Sequence, residues 1–406
     1  MNIILFDDKL IRPNLLPLTF TRPVADIRVG ILTIAEKWQK FTGQPVSYLT
    51  QPYLQKKYLY DPELTANLYV NGAVCPDAEL LKTLKKLKPG KALFLNDVLL
   101  AYNANEQIFE SLAEFYNFSN AIPKTYSGLA TVIQEVWEIF TRNGEQIRTD
   151  FALITKGRQS CPITDPHTVV YAPESIFLEE GVKLRAVVLN AESGPIYLGK
   201  NSEVQEGAVI RGSFALGEGS MLNMGAKMRG DITIGPFCKV GGEISNSVIF
   251  GNSNKSHDGF LGNSVLGEWV NLGADTNTSN MKNNYADVKL WNYAKNGMKN
   301  TGLQFCGSIM GDHTKCGINT MLNTGTVTGV SANVFGAGYP RNFIPSFTWG
   351  GAPGMETYQL PKFFESAARA MERRNRVLDE VEKGILSNVY EQTKGDRPWE
   401  RKVVLE

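Results

Sequence analysis

At 406 residues, 43% of them hydrophobic and 20% charged, the chain has core material for two or three globular domains. Its 42 lysines and arginines against 41 acidic residues exclude a net field that would draw it to nucleic acid or an anionic membrane, and favour a small-molecule partner. Five cysteines without a CxxC pair exclude the usual disulfide and zinc patterns, and the opening MNIILFDDKL is neither a signal peptide nor a membrane span, so a cytoplasmic protein is expected.

From Ile3 to about Phe151, short apolar runs (IILF, VSYL, LYV, ALFL, VLLAY) alternate with helical patterns such as VADIRVGILTIAEKWQKF and AELLKTLKKL. Strands separated by amphipathic helices predict a doubly wound α/β domain over residues 1–155.

Near Cys161 helical periodicity disappears and a repeat replaces it. Positions 198, 204, 210, 216, 222, 228, 234 and 240 are Leu, Val, Ile, Leu, Leu, Met, Ile and Val, a run at period six expected by chance less than about once in a thousand. Glycine follows at Leu198-Gly199, Leu216-Gly217 and Ile234-Gly235, a spacing of three hexads. The pattern predicts a hexapeptide β-helix of triangular section over residues 156–350, with the apolar residue inward and the glycine at the bend. The register breaks after Val240, resumes at Leu261, Leu266 and Leu272, and yields to the polar stretch NTSNMKNNYADVKLWNYAKNGMKN before returning around Ile309, Met321 and Val327. An insertion of that kind maps to a loop on one face, often the binding face. Residues 351–406 are expected to hold one helix, LPKFFESAARAMERRNRVLDEVEKGIL, and the polar tail GDRPWERKVVLE.

His257, in NKSHDGFLGN, is one of three histidines and sits between the regular array and its insertion. His167 and His313 are expected at turns. Gaps of 90 and 56 residues between the three exclude a zinc site that needs two histidines a few residues apart.

The segment NKSHDGFLGNSVLGEWVNLGADTNTSN, with LPLTFTRPVADIRVGI near the start and RNFIPSFTWGG near the end, resembles a divergent branch of the bifunctional N-acetylglucosamine-1-phosphate uridylyltransferase / glucosamine-1-phosphate N-acetyltransferase family. The resemblance implies a Rossmann-like nucleotidyltransferase α/β domain, then a left-handed parallel β-helix and a C-terminal α-helix, assembled as a homotrimer. It implies a sugar-phosphate acetyltransferase and sugar-1-phosphate nucleotidyltransferase that takes acetyl-CoA, glucosamine 1-phosphate and UTP toward UDP-N-acetylglucosamine, with Mg²⁺ where the N-terminal domain is active. Its partners would be a sugar phosphate and a nucleoside triphosphate. By the same resemblance His257 is the general base and Glu243 the carboxylate that orients it. Asn271 and Asn280 hold the sugar or acetyl group, Phe260 forms an apolar wall, a backbone N–H near Gly317-Ile318 receives the oxyanion, and Arg341 meets the CoA 3′-phosphate.

Four features depart from the family. Its phosphate-binding lysine falls on Ser245, which shifts that role to Arg229 or Lys255, and its tyrosine beside the later asparagine is Met281. In the N-terminal half the glycine-rich phosphate loop is absent, and LYVNGAV puts Ala73 where the metal-binding aspartate would stand. Arg12, Arg22 and Arg28, with Asn71 and Gly72, are the candidates for nucleotide phosphate, and Asp7, Asp8 and Asp97 for the metal; Arg22 also reads as the partner of a carboxylate. Three functions stay open: the bifunctional enzyme, or a nucleotidyltransferase for another sugar and nucleotide such as a glucose-1-phosphate thymidylyltransferase; an acetyltransferase alone with a degenerate N-terminal binding domain; and a non-catalytic trimeric scaffold.

Overall fold

The computed structural model describes residues 2–64, 66–118 and 121–400; residues 401–406 of the expected polar tail lie outside them. The chain forms two compact units, one of residues up to 15, 21–27 and 32–135, the other of residues 16–20, 28–31 and 136 onward.

In the first unit the five apolar runs are strands. β1 (Asn2–Phe6), β2 (Val46–Leu49), β3 (Asn67–Asn71), the short β4 (Val74–Cys75), β5 (Lys91–Leu95), β6 (Val98–Asn105) and β7 (Ile122–Thr125) follow in order, and six of them build a sheet in the order β2-β1-β3-β6-β5-β7. The β1, β2 and β3 pairings are parallel, which suits strands apolar on both faces. The sheet is nevertheless mixed, because β6 runs antiparallel to both β3 and β5. Phe6, Tyr69, Phe109 and Phe115 pack as an aromatic cluster with centroids 4.7–5.2 Å apart. Helix α1 covers only Ile34–Thr42, shorter than the helical pattern suggested. It begins at a reciprocal cap, with the Thr33 hydroxyl accepting from the Glu36 N–H and the Glu36 carboxylate from the Thr33 N–H. Upstream, Pro23 and Gly30, the latter at φ +80°, prevent a continuous helix. α2 (Ala78–Leu84) and α3 (Leu112–Asn117) complete the unit.

The second unit is a parallel β-solenoid preceded by α4 (Glu138–Thr141) and α5 (Asn143–Thr155). Its three ladders have nine strands from Ile176–Leu178 to Phe343–Ile344, ten from Lys183–Leu184 to Gly354–Thr357, and six from Val169–Tyr171 to Phe260–Gly262. All eight residues of the period-six run are buried and belong to one continuous core. Leu198, Leu216 and Ile234 stand in register 18 residues apart, and the next coil reaches Ile249 after only 15. That shortening is why the hexad register breaks after Val240. Ile244 takes the inward place opposite Met228, and Asn246 turns the corner at φ +42°. Beyond the insertion the inward residue is Leu322 rather than Met321, which is 38% exposed. The inserted stretch is not a plain loop. Lys289–Asn292 and Gly297–Asn300 form a hairpin, and a Met281–Phe305 bridge closes its neck.

Residues 28–31 are fastened within this second unit. The Gly30 N–H donates to Asn143 Oδ1, Ile31 N–H to Asp150 Oδ2, and the Thr233 hydroxyl to Gly30 O. The expected single C-terminal helix is two, α6 (Leu360–Glu372) and α7 (Glu380–Gln392), separated where Asp379 caps α7 by accepting from the Glu382 N–H. α6 lies on its own solenoid, with Phe363 packed on Phe347 and His313. Residues 394–400 are not a free polar tail, because Arg397 is fully buried on Glu400, Thr393 and the carbonyls of Ser346 and Tyr390.

The repeated glycines answer to neighbouring coils rather than to the bend. Gly199, Gly217 and Gly235 do not have positive φ. A Cβ on Gly235 would stand 1.7 Å from Phe250 O, one on Gly217 2.5 Å from the Gly235 carbonyl carbon, and one on Gly199 2.8 Å from Leu216 O. Gly225 is the contrasting case, at φ +69° with nothing within 4 Å. Gly235→Ala is therefore expected to lower the unfolding free energy by about 3 kcal/mol or more, and Gly225→Ala by only about 1 kcal/mol, from αL strain alone. Denaturant titration checks this, and equal effects would refute the close-approach explanation.

Candidate functional site

His257 lies in the corner between the strands Asn254–Lys255 and Phe260–Gly262. This corner is tight. Gly259 stands at φ +116°, and a Cβ there would meet Thr276 O at 2.3 Å. The imidazole is exposed and borders a pocket of about 410 Å³ with Asn271, Gly273, Ala274, Ile318, Lys239 and two residues just past α6, Arg373 and Arg374. A smaller cavity of about 200 Å³ shares Asn254, Asn271, Arg373 and Arg374 and adds Lys315, whose pKa burial lowers. Arg374 is fixed by donating to Phe237 O and to Asn254 Oδ1. His257 thus opens onto a pocket rimmed by three cations, Lys239, Arg373 and Arg374, with Lys315 in the adjoining cavity, an arrangement suited to an anionic substrate. Sequence reasoning missed Lys239, Lys315, Arg373 and Arg374, which converge only because α6 folds back on the solenoid. The RR pair within ERRNR was the available signal.

The remaining candidates divide. Asn271 joins His257, and its Oδ1 accepts from Asn254 Nδ2 at 3.3 Å. Phe260 and Asn280 meet around Gly262, where a Cβ would touch both at 2.6 Å, and Asn280 Nδ2 donates to Asn263 Oδ1. Neither lines the His257 pocket. Glu243 makes no hydrogen bond to the His257 ring among the described residues, and its carboxylate faces Arg229 at 3.3 Å. The Gly317 N–H is already donated to Val334 O, so it cannot receive an oxyanion. Ile318, 73% exposed, makes no backbone bond through its N–H among the described residues. Arg341 lines a different cavity, of about 640 Å³, with Trp291, Tyr339 and Trp399. His313 is buried between Trp269 and Phe363 and does not reach the pocket.

Lys255 is placed unlike a phosphate contact. It is 2% exposed, and its Nζ donates to His257 O at 2.7 Å.

Most of the residues assigned to nucleotide and metal in the N-terminal half are committed to the fold. Asp7 accepts from Val24 N–H at 2.7 Å and from the Thr50 hydroxyl at 2.6 Å, and pairs with Arg12 Nε at 3.1 Å. Burial raises its pKa, against the opposing pull of Arg12, Thr50 and the Val24 N–H. Asp8 accepts from the Leu10 and Ile11 N–H groups and from Asn71 Nδ2. Asn71 is fully buried, donating also to Leu99 O and accepting from the Ala73 N–H. Gly72 is pressed against Ala25 and Phe6 O, with Cβ distances of 3.1–3.2 Å. Arg12 also donates to the Tyr53 hydroxyl, Arg22 is 3% exposed, and Arg28 donates to the carbonyls of Phe250 and Ile31 in the second unit. Arg12 belongs to the first unit and Arg28 to the second. Asp97 is exposed at the β5–β6 turn beside Asn96 at φ +51°. Among the described residues no three His, Cys, Asp or Glu side chains converge as a metal site. The ligand sets proposed for Mg²⁺ do not fit it, because the acceptor oxygens of Asp7 and Asp8 are already bonded and a guanidinium stands beside Asp7.

The buried lysine carries a pH signature. Burial pushes the Lys255 pKa down to about 8, partly offset by Asp258 and Asp275. Between that value and the unfolded lysine value of about 10.4, the unfolded chain binds more protons than the folded one. Stability from this group therefore rises with pH across that window, and its cost is fully present below about 8. The melting-point difference between Lys255→Met and the wild type, positive at pH 7, should shrink by at least about 2 °C by pH 10. Calorimetry across that range checks it, and a constant difference would contradict the burial.

Residues 3–159 match the sugar nucleotidyl transferase family model. A bifunctional sugar-1-phosphate nucleotidylyltransferase/acetyltransferase from Sulfurisphaera tokodaii is 31% identical over 93 residues, which is 23% of this chain and 23% of that protein. The bifunctional protein GlmU of Rippkaea orientalis is 26% identical over 171 residues, 37% of this chain and 34% of its own length. The matches thus span about a quarter to a third of these relatives. Among solved structures, an Arabidopsis UDP-N-acetylglucosamine acyltransferase is 12% identical, covering 57% of this chain and 91% of that one at a TM-score of 0.22. A perosamine N-acetyltransferase variant from Caulobacter crescentus, in complex with CoA and GDP-perosamine, is 11% identical, covering 81% and 89% at 0.13. Neither superposition is close enough to bear on fold or function. The family match thus covers the N-terminal part of the chain, residues 3–159, as a sugar nucleotidyl transferase domain, and parts of the chain are similar to parts of bifunctional nucleotidylyltransferase/acetyltransferases.

Proposed function

We propose that the protein is a bifunctional sugar-phosphate transferase that moves an acetyl group from acetyl-CoA to the amino group of a sugar phosphate such as glucosamine 1-phosphate, and a nucleotidyl group from UTP to the acetylated product. The reading rests on one juxtaposition: exposed His257 beside Asn271 in a cation-rimmed pocket, in a chain whose other end matches sugar nucleotidyl transferases. The sugar amine attacks the thioester carbonyl, and His257 takes the amine proton as the C–N bond forms. The tetrahedral oxyanion is received by a backbone donor, for which the Ile318 N–H fits better than that of Gly317. Collapse breaks the C–S bond, and the imidazolium returns its proton to the leaving thiolate. Lys239, Arg373 and Arg374 would hold phosphate in place of the absent family lysine.

We assign the working form as a homotrimer. The expected sugar contacts fall in two groups on one protomer, His257 with Asn271 and Phe260 with Asn280, and a neighbouring copy is needed to enclose a long pantetheine arm. A second reading has support in the first unit, where the committed carboxylates favour a nucleotide-binding domain without turnover.

His257→Ala should cut acetyl transfer about a hundred- to ten-thousand-fold with an unchanged melting point, measured by thiol release from acetyl-CoA with glucosamine 1-phosphate. Turnover within threefold of wild type would remove His257 from the chemistry. Light scattering should return three times the 44.9 kDa chain mass. Pyrophosphate release from UTP with N-acetylglucosamine 1-phosphate would support the bifunctional reading, and UTP binding without release would select the acetyltransferase alone.

A further inference from the structure

On the pocket face the solenoid interior is filled by a column of inward residues, Val204, Leu222, Val240, Lys255, Leu272 and Cys316. Five are apolar. The sixth, Lys255, carries an ammonium group into that core at 2% exposure, where an isolated charge is strongly disfavoured. The coil that delivers it is the shortened one, 15 residues from Val240 to Lys255 against 18 from Val204 to Leu222 and from Leu222 to Val240.

The corner above it shows what the ammonium does. Each of four successive carbonyls has its own donor: Lys255 O from the Gly241 N–H, Ser256 O from Asn223 Nδ2, His257 O from Lys255 Nζ, and Asp258 O from the Asp275 N–H. Three donors belong to neighbouring coils. The fourth reaches up from the core, and it holds the residue whose ring borders the pocket. Gly242 leaves the room, since a Cβ there would stand 2.8 Å from Nζ and 2.9 Å from His257 O. The imidazole has no hydrogen-bond partner of its own among the described residues, so the placement of the ring depends on its backbone.

We propose that Lys255 is a positioning residue for His257, an internal strut whose ammonium holds the His257 carbonyl and so fixes the corner that presents the imidazole. This rests on the assignment of His257 as the base. A lysine kept only for stability makes little sense in this column, because replacing a buried charge by an apolar side chain of similar volume is often neutral or stabilising. Stability and activity should therefore move in opposite directions.

The test is Lys255→Met in the full-length protein, with Lys255→Leu as a second variant. At pH 7 the melting point should be higher. Amide hydrogen exchange at residues 256–260 should accelerate tenfold or more, with the neighbouring coils unaffected. The kcat for acetyl transfer should fall ten- to a hundredfold while KM for acetyl-CoA stays within threefold. Unchanged exchange at the corner would overturn the proposal. So would a melting point that falls together with activity in both variants, which would make Lys255 a purely structural residue. Wild-type turnover in His257→Ala would instead remove the catalytic assignment of His257, and the exchange measurement would still decide whether Lys255 holds the corner.

Discussion

The second unit depends on the stacking of coils at a close backbone approach, with one apolar residue per strand pointing inward. Each coil alone buries too little to be stable, and its edges carry unpaired N–H and C=O groups until the next coil covers them. Register is therefore strict, and glycine is required where one backbone touches the next, as at Gly217 and Gly235. Such an array offers few places for chemistry, since regular positions are consumed by packing and pairing.

Chemistry can enter where the array is irregular. The coil shortened by three residues turns the chain early, and the corner that follows holds His257, with a lysine where the core column would otherwise have an aliphatic side chain. The insertion after Thr278 and the return of α6 across the face add further irregularity. Cations from distant parts of the sequence, Lys239, Lys315, Arg373 and Arg374, consequently line adjoining cavities with Asn271. A regular solenoid supplies rigidity, and its interruptions supply the site.

The first unit distributes its polar residues differently. Asp7, Asp8, Asn71 and Arg12 look like a nucleotide site when counted along the sequence, yet they bond to one another, to backbone groups around residues 10–24 and 73–99, and to Thr50 and Tyr53. Buried carboxylates need donors, and here the fold provides them. The sugar nucleotidyl transferase match of residues 3–159 therefore sits on a domain whose most obvious candidate ligands are engaged in holding it together. Three deeply buried thiols, Cys238, Cys306 and Cys316, whose pKa burial pushes up to about 12, belong to the packing of the solenoid unit in the same way.

Local pattern alone determined five strands of the first unit, though not Val74–Cys75 or Ile122–Thr125, the period and phase of the solenoid up to Val240, the position of its break, and His257 as the residue to examine, because side-chain periodicity and glycine spacing are short-range consequences of burial. It did not determine the mixed sheet, the division of the C-terminal helix, or the inward place of Leu322 rather than Met321. Those follow from which segments pair. Only the tertiary structure decided which polar residues remain open to solvent. Glu243 could not be known to face Arg229, nor Lys255 to turn inward, because a coil three residues short moves a side chain from one environment to another without any change in its neighbours along the chain. The cations just past α6 became part of the pocket for the same reason: a segment more than a hundred residues away in sequence reaches the groove only after the solenoid has formed the face on which α6 packs.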